Sequence, residues 1–168
     1  MSKSQVAIAV MTVSDTRTKL TDTSGGYLVS AVEAAGHRLV ERANVADDIA
    51  AIRAKAQEWI DDPLVDVIIS TGGTGLTGRD VTPEALQPLF DKQIEGFAAV
   101  FHRVSYDKIG LSTMQSRACA GVSGGTFILC LPGSGGAVRD GWSVIMPQLD
   151  AATKPCNLVE IMPRLMER

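Results

Sequence analysis

Val67-Ile68-Ile69-Ser70-Thr71-Gly72-Gly73-Thr74-Gly75-Leu76-Thr77-Gly78-Arg79-Asp80-Val81-Thr82-Pro83-Glu84-Ala85 is the stretch that decides the fold. Val67 to Ile69 carry no polar alternate, the pattern of a central strand covered on both faces. The run ends in Ser-Thr and opens into a loop carrying Gly72, Gly73, Gly75 and Gly78. A helix is then predicted from Thr82, with Thr82 as N-cap and Pro83 at the first helical position, where its missing N–H costs nothing. Glu84 falls in the first turn, where negative charge suits the helix dipole. A glycine loop at the carboxyl end of a parallel strand is the usual ligand position in an open α/β sheet.

Outward from this loop, strands and helices alternate. Val6 to Val13 reads as a buried first strand, followed by Ser14-Asp15-Thr16-Arg17 and a helix over about Tyr27 to Ala35 that Gly36 stops. His37 to Val45 reads as a second strand. Asp47-Asp48 opens a helix in which Ile49, Ile52, Ala56, Trp59 and Ile60 recur at helical spacing until Pro63. Beyond the central loop, a helix from Thr82 to about Asp91 is interrupted by Pro88, and another spans Ile94 to Tyr106 with Phe97, Val100, Phe101 and Val104 on one face. Gly110 to Gly125 reads as a short helix framed by loops. Thr126 to Leu131 is another buried strand, and Pro132-Gly133-Ser134-Gly135-Gly136 leads into a helix from Ala137 to about Leu149. The tail reads as a strand or an extended packed segment. The expected fold is α/β, a three-layer α/β/α sandwich around a mostly parallel central sheet, with residues 1–168 as a single domain.

The chain has 168 residues, 45% of them hydrophobic, enough for one well-buried core. A net charge of −3 gives no bulk attraction to nucleic acid or to an anionic membrane. The apolar run near the N-terminus is too short to span a bilayer. Three cysteines without a C-x-x-C pair suit a reducing compartment, so a cytoplasmic location is expected.

Three strands end in Ser/Thr/Gly loops at 14–16, 70–75 and 132–136, and parallel strands place them along one edge. Hydroxyls, glycine amides and helix N-termini together make an anion-binding rim, with phosphate as its obvious guest. The usual phosphate motifs do not fit. No Gly-Lys-Ser/Thr follows the loop, and Gly73-x-Gly75-x-x-Gly78 follows the third strand and stops short of a helix start, against a dinucleotide fold. Asp80 in the loop and Asp47-Asp48 at a helix start could hold a Mg²⁺ that neutralises phosphate oxygens, or serve respectively as loop solvator and N-cap. Arg117 is either a phosphate clamp or a surface arginine.

Val13-Ser14-Asp15-Thr16-Arg17, Asp22-Thr23-Ser24-Gly25, Thr71-Gly72-Gly73-Thr74-Gly75, Arg79-Asp80-Val81-Thr82-Pro83-Glu84-Ala85, Ser116-Arg117-Ala118 and Leu131-Pro132-Gly133-Ser134 occur in this order. Together they resemble the MoaB/MogA family of molybdenum-cofactor biosynthesis proteins, over nearly the whole chain. Gly96-Phe97, Gln148-Leu149-Asp150 and Lys154-Pro155-Cys156-Asn157 look more like the MoaB branch.

The resemblance implies a molybdopterin-binding domain. Active members transfer an adenylyl group from Mg-ATP to the terminal phosphate of molybdopterin and release pyrophosphate. It carries the catalytic carboxylates onto Asp47 and Asp80, with Asp47, Asp48 and Asp80 as candidates for Mg²⁺. Ser14, Asp15, Gly72, Gly73, Thr74, Gly75, Ser116, Arg117, Pro132, Gly133 and Ser134 would bind ATP and molybdopterin. Ala46 stands where the family commonly has proline, but Asp47-Asp48 is retained, which favours an active enzyme. The alternative within the family is a non-catalytic pterin-binding or scaffold protein. A homotrimer or homohexamer, and a molybdenum insertase as downstream partner, are also implied.

Overall fold

The structure is a computed structural model that describes residues 5–167. Six strands form one sheet in the order β2-β1-β3-β6-β5-β4. They are β1 (Ala7–Val13), β2 (Arg38–Val45), β3 (Val67–Thr71), β4 (Lys92–Gln93), β5 (Cys119–Ser123) and β6 (Thr126–Leu131). β1 runs parallel to both β2 and β3, and β3 parallel to β6, while β5 and β4 close the far edge antiparallel.

The helices are α1 (Thr23–Ala34), α2 (Ile49–Asp61), α3 (Thr82–Leu86), α4 (Glu95–Ile109), α5 (Gly135–Gln148) and α6 (Leu158–Ile161). Period-two alternation along the strands sorts their side chains onto two faces. Ile8, Val10, Val67 and Ile69 pack with Leu28 of α1, Phe101 of α4 and Val138 of α5. Ala9, Met11 and Ile68 pack on the other face with Ile52, Ala56 and Trp59 of α2 and Leu86 of α3. Both faces of β1, β3 and β6 are therefore dry, which is why these strands read as continuous apolar runs. The three-layer α/β/α sandwich expected from the sequence is the fold observed.

Several local expectations are corrected. α1 begins at Thr23, ahead of Tyr27, because Asp22 caps it through the Gly25 amide at 2.9 Å. Val81, not Thr82, precedes α3, and the Thr82 hydroxyl donates instead to the Gly72 carbonyl. α3 gives way after Leu86 to a 3-10 turn around Pro88. Gly110 to Gly125 is a 3-10 turn over Gly110–Gln115 followed by strand β5. The tail is helical: Asn157, itself buried, caps α6 through the Glu160 amide, and a 3-10 turn over Met162–Arg164 follows. Of the α4 face, Phe97 and Phe101 enter the core, while Val100 and Val104 line a groove with Val144 and Leu158.

Candidate functional site

The strand order reverses at β1, whose neighbours β2 and β3 lie on opposite sides. Loops leaving the carboxyl ends of β1 and β3 must diverge there, and such a switch point leaves a crevice. A cavity of about 500 Å³ occupies it. Val13 and Ser14, the glycine turn at 72–75, and Pro132 to Ser134 form its floor.

Close contacts fix the glycine turn. Gly72 has φ of 103°, and a Cβ there would lie 2.3 Å from the Val13 carbonyl oxygen. Only glycine serves at such a position. The Gly72 amide donates to Leu131 O at 3.0 Å, and the Thr71 hydroxyl to Pro132 O at 2.9 Å. The Ser24 hydroxyl donates to Gly133 O at 2.9 Å, so α1, β3 and the β6 loop are stitched together beneath the cavity.

The N-termini of α1 and α5 both open on this space, through Asp22, Thr23 and Ser24 and through Ser134 and Ala137. Ser134 caps α5, accepting from the Ala137 amide at 3.2 Å. Two helix N-termini and a glycine turn give a field that favours anions. Against it stand three carboxylates in the wall: buried Asp22, which already caps α1, and half-buried Asp47 and Asp80, which arrive on different loops. Asp80 Oδ2 accepts from the Thr77 amide at 2.8 Å and the Thr77 hydroxyl at 2.7 Å. Burial pushes the Asp80 carboxyl up, but the Thr77 and Gly75 donors and the charge of Arg117 outweigh it and leave it below the ordinary carboxylate value. It is an anion at neutral pH.

Ser14, Gly72, Gly73, Thr74, Gly75, Ser116, Pro132, Gly133 and Ser134 all lie in the cavity wall with Asp47 and Asp80. Three other expected residues lie outside that wall. Asp48 caps α2 through the Ala51 amide at 2.8 Å. Asp15 bonds to Asp47 and Arg79. Arg117 braces the glycine loop: its Nε donates to Gly75 O at 2.9 Å, its Nη2 to Asp80 O at 2.8 Å, and its Nη1 pairs with Glu84.

The opposite wall comes from residues outside the sequence motifs. Phe101, Ser105 and Ile109 of α4, with Ser112, Thr113 and Gln115 of the following turn, close the cavity over the glycine loop. Apolar surface interleaved with hydroxyl and amide groups suits a flat, polar-edged heterocycle. The only sequence signal for this wall is the small, polar composition of Gly110 to Ser116, which lacks the apolar period of a packed helix.

Acids and anion-binding dipoles in one cavity are compatible when a divalent cation lies between carboxylate and phosphate. Among the described residues no three His, Cys, Asp or Glu side chains cluster to hold a metal on protein ligands alone. Two carboxylates with phosphate and water completing the shell is the arrangement Mg²⁺ favours.

A family described as "Probable molybdopterin binding domain" matches residues 9–151. Molybdenum cofactor biosynthesis protein B of Escherichia coli (strain K12) is 51% identical over 151 residues, 89% of each chain. A crystal structure of molybdenum cofactor biosynthesis protein B superposes with a TM-score of 0.84 at 41% identity, covering 86% of this chain and 91% of the other. The tungsten cofactor synthesizing protein MoaB from Pyrococcus furiosus gives 0.80 at 33% identity, covering 88% and 94%.

Proposed function

Since this chain belongs to the molybdopterin-binding family of molybdenum cofactor biosynthesis proteins, we propose that it transfers an adenylyl group from Mg-ATP to the terminal phosphate of molybdopterin. The observation that carries the reading is that Asp47 and Asp80, from separate strand-end loops, share one cavity with the glycine turn.

A terminal phosphate oxygen of the pterin attacks the α-phosphorus of ATP. The bond from that phosphorus to the bridging oxygen breaks, and pyrophosphate leaves with the electron pair. Little covalent work falls to the protein in such a transfer, so positioning and charge neutralisation supply most of the rate. The Gly73 and Thr74 amides of the turn and the α5 N-terminus receive phosphate oxygens. The wall of Phe101, Ser105, Thr113 and Gln115 holds the heterocycle and excludes water. Asp47 and Asp80 would hold Mg²⁺, which supplies charge neutralisation on the phosphates when bound.

The test is incubation with molybdopterin and Mg-ATP, reading adenylylated pterin and pyrophosphate together. Asp80→Asn should lower transfer by on the order of 100-fold while pterin affinity stays within about threefold. Tight pterin binding by the unaltered protein with no pyrophosphate released would reject catalysis and leave the scaffold role.

A further inference from the structure

Asp15 lies outside the cavity wall yet touches both loops that carry the site acids. Its backbone amide donates to Asp47 Oδ2 at 3.0 Å, and its own Oδ1 accepts from the Asp47 amide at 2.9 Å. This reciprocal pair fixes Asp47 in both main chain and side chain against the end of β1. These are the hydrogen bonds that the Asp47 side chain and amide make among the described residues. Asp15 Oδ2 accepts from Arg79 Nη2 at 2.6 Å, and Arg79 immediately precedes Asp80.

We propose that Asp15 is a positioning residue, a single carboxylate that ties the loops after β1, β2 and β3 and so sets the spacing between Asp47 and Asp80. It acts through other residues, from outside the cavity wall.

The catalytic consequence rests on the adenylyl-transfer reading; the mechanical one does not. Two carboxylates that would hold one divalent cation against the phosphates are sensitive to spacing, and a misplacement of about 1 Å costs on the order of 100-fold in rate. The stability consequence runs the other way. The Arg79 side chain is 69% exposed and that of Asp15 35%, and ion pairs so open to solvent contribute little to folding. Loss of Asp15 should therefore damage turnover without damaging the fold, which a residue of merely structural value would not do.

The experiment uses full-length Asp15→Ala, Asp15→Asn and Arg79→Ala, with three readouts: amide hydrogen exchange at Asp47, the thermal midpoint, and kcat and KM for pyrophosphate release. Asp15→Ala is expected to speed Asp47 exchange at least tenfold and to lower kcat about 10- to 100-fold, with KM for molybdopterin within about threefold and the midpoint within about 3 °C. Asp15→Asn keeps an acceptor for the Asp47 amide, so it should restore most of the exchange protection and part of kcat. Arg79→Ala should lower kcat and leave Asp47 exchange unchanged. Unchanged Asp47 exchange in Asp15→Ala overturns the proposal, as does kcat within twofold of the unaltered protein when that protein transfers adenylyl groups. A kcat loss matched by an equal loss of folded protein also overturns it. If the unaltered protein releases no pyrophosphate but Asp47 exchange quickens in Asp15→Ala, the adenylyl-transfer reading fails and the tie between the loops stands.

Discussion

The hydroxyl of Thr82 donates to the carbonyl oxygen of Gly72 at 2.8 Å, and the Thr82 amide donates to Gly73 O at 2.9 Å. The residue that opens α3 thus grips Gly72 and Gly73, two of the three glycines of the turn on which the cavity floor depends. Thr82 is fully buried, so no water can replace its hydroxyl.

Thr82→Val keeps the shape and strands the Gly72 carbonyl without a donor. A buried group left unpaired costs about 1–3 kcal/mol. For a chain of this size the thermal midpoint should fall by roughly 2–4 °C for each kcal/mol. Thr82→Ser retains the donor and should lose little. An unchanged midpoint in the valine variant would mean that the turn is held by other contacts.

Gly72 and Gly78 separate two kinds of glycine within one loop. At Gly72 a Cβ would meet the Val13 carbonyl at 2.3 Å on a backbone with positive φ, and backbone cannot move aside as a side chain can. Gly72→Ala should therefore cost several kcal/mol or abolish soluble folding. At Gly78 nothing lies within 4 Å and φ is not in the left-handed region. Gly78→Ala should leave the midpoint within about 2 °C. Parallel denaturation curves of the two variants decide the matter.

This contrast also marks what a sequence can carry. The run Val67 to Ile69 needs both faces covered, and the glycine turn follows from the strand that feeds it; neither depends on a distant partner for its reading. Strand β5 does. Cys-Ala-Gly-Val-Ser has little strand propensity by itself, and Gly121 is required because the Phe90 ring lies across it, 2.2 Å from where a Cβ would sit. Arg117 and Asp15, expected to bind substrate, brace the loops instead, and that bracing escapes the sequence for the same reason. Their partners Gly75, Asp80 and Glu84, and Asp47 and Arg79, are 32 to 64 residues away in sequence.

Arg117 reaches three acceptors with one planar guanidinium, and its own amide donates to Thr74 O at 2.8 Å. Lysine carries the charge but cannot fork in this way. Both Arg117→Lys and Arg117→Ala should lower the midpoint of the ligand-free protein and speed amide exchange over residues 75–80. A phosphate clamp would show the opposite signature, with normal ligand-free stability and weakened phosphate affinity.

Asp22 gives the stability a defined response to acid. Burial pushes its carboxyl up, but hydrogen bonds from Thr12, Gly25 and Arg42, with the charge of Arg42, outweigh this and leave it lowered overall. A carboxyl with a lower value in the folded than in the unfolded chain contributes stability above the unfolded value, near 3.9. That contribution fades as pH falls through the folded value. The stability difference between the unaltered protein and Asp22→Asn should be flat from about pH 5 upward and shrink below about pH 4. Urea titrations across that range measure it, and a difference that grows towards acid would contradict the sign.

Asp47 and Asp48 are adjacent, but the chain turns them to different ends. Asp48 accepts from the Ala51 amide at 2.8 Å and caps α2, whereas Asp47 lies in the cavity wall and accepts from the Asp15 amide at 3.0 Å. An N-cap acid replaced by alanine costs about 0.5–2 kcal/mol. Asp48→Ala should therefore lower the midpoint while pyrophosphate release at a temperature where the chain stays folded remains within about twofold. Asp47→Asn keeps an oxygen for the Asp15 amide and removes only the charge, so the midpoint should hold while transfer falls by on the order of 100-fold. Raising Mg²⁺ should recover part of that rate, because a missing anionic ligand weakens cation occupancy before it alters phosphate placement. Loss of transfer in Asp48→Ala together with full activity in Asp47→Asn would exchange the two roles, and with them the side of the α2 N-terminus on which the chemistry lies.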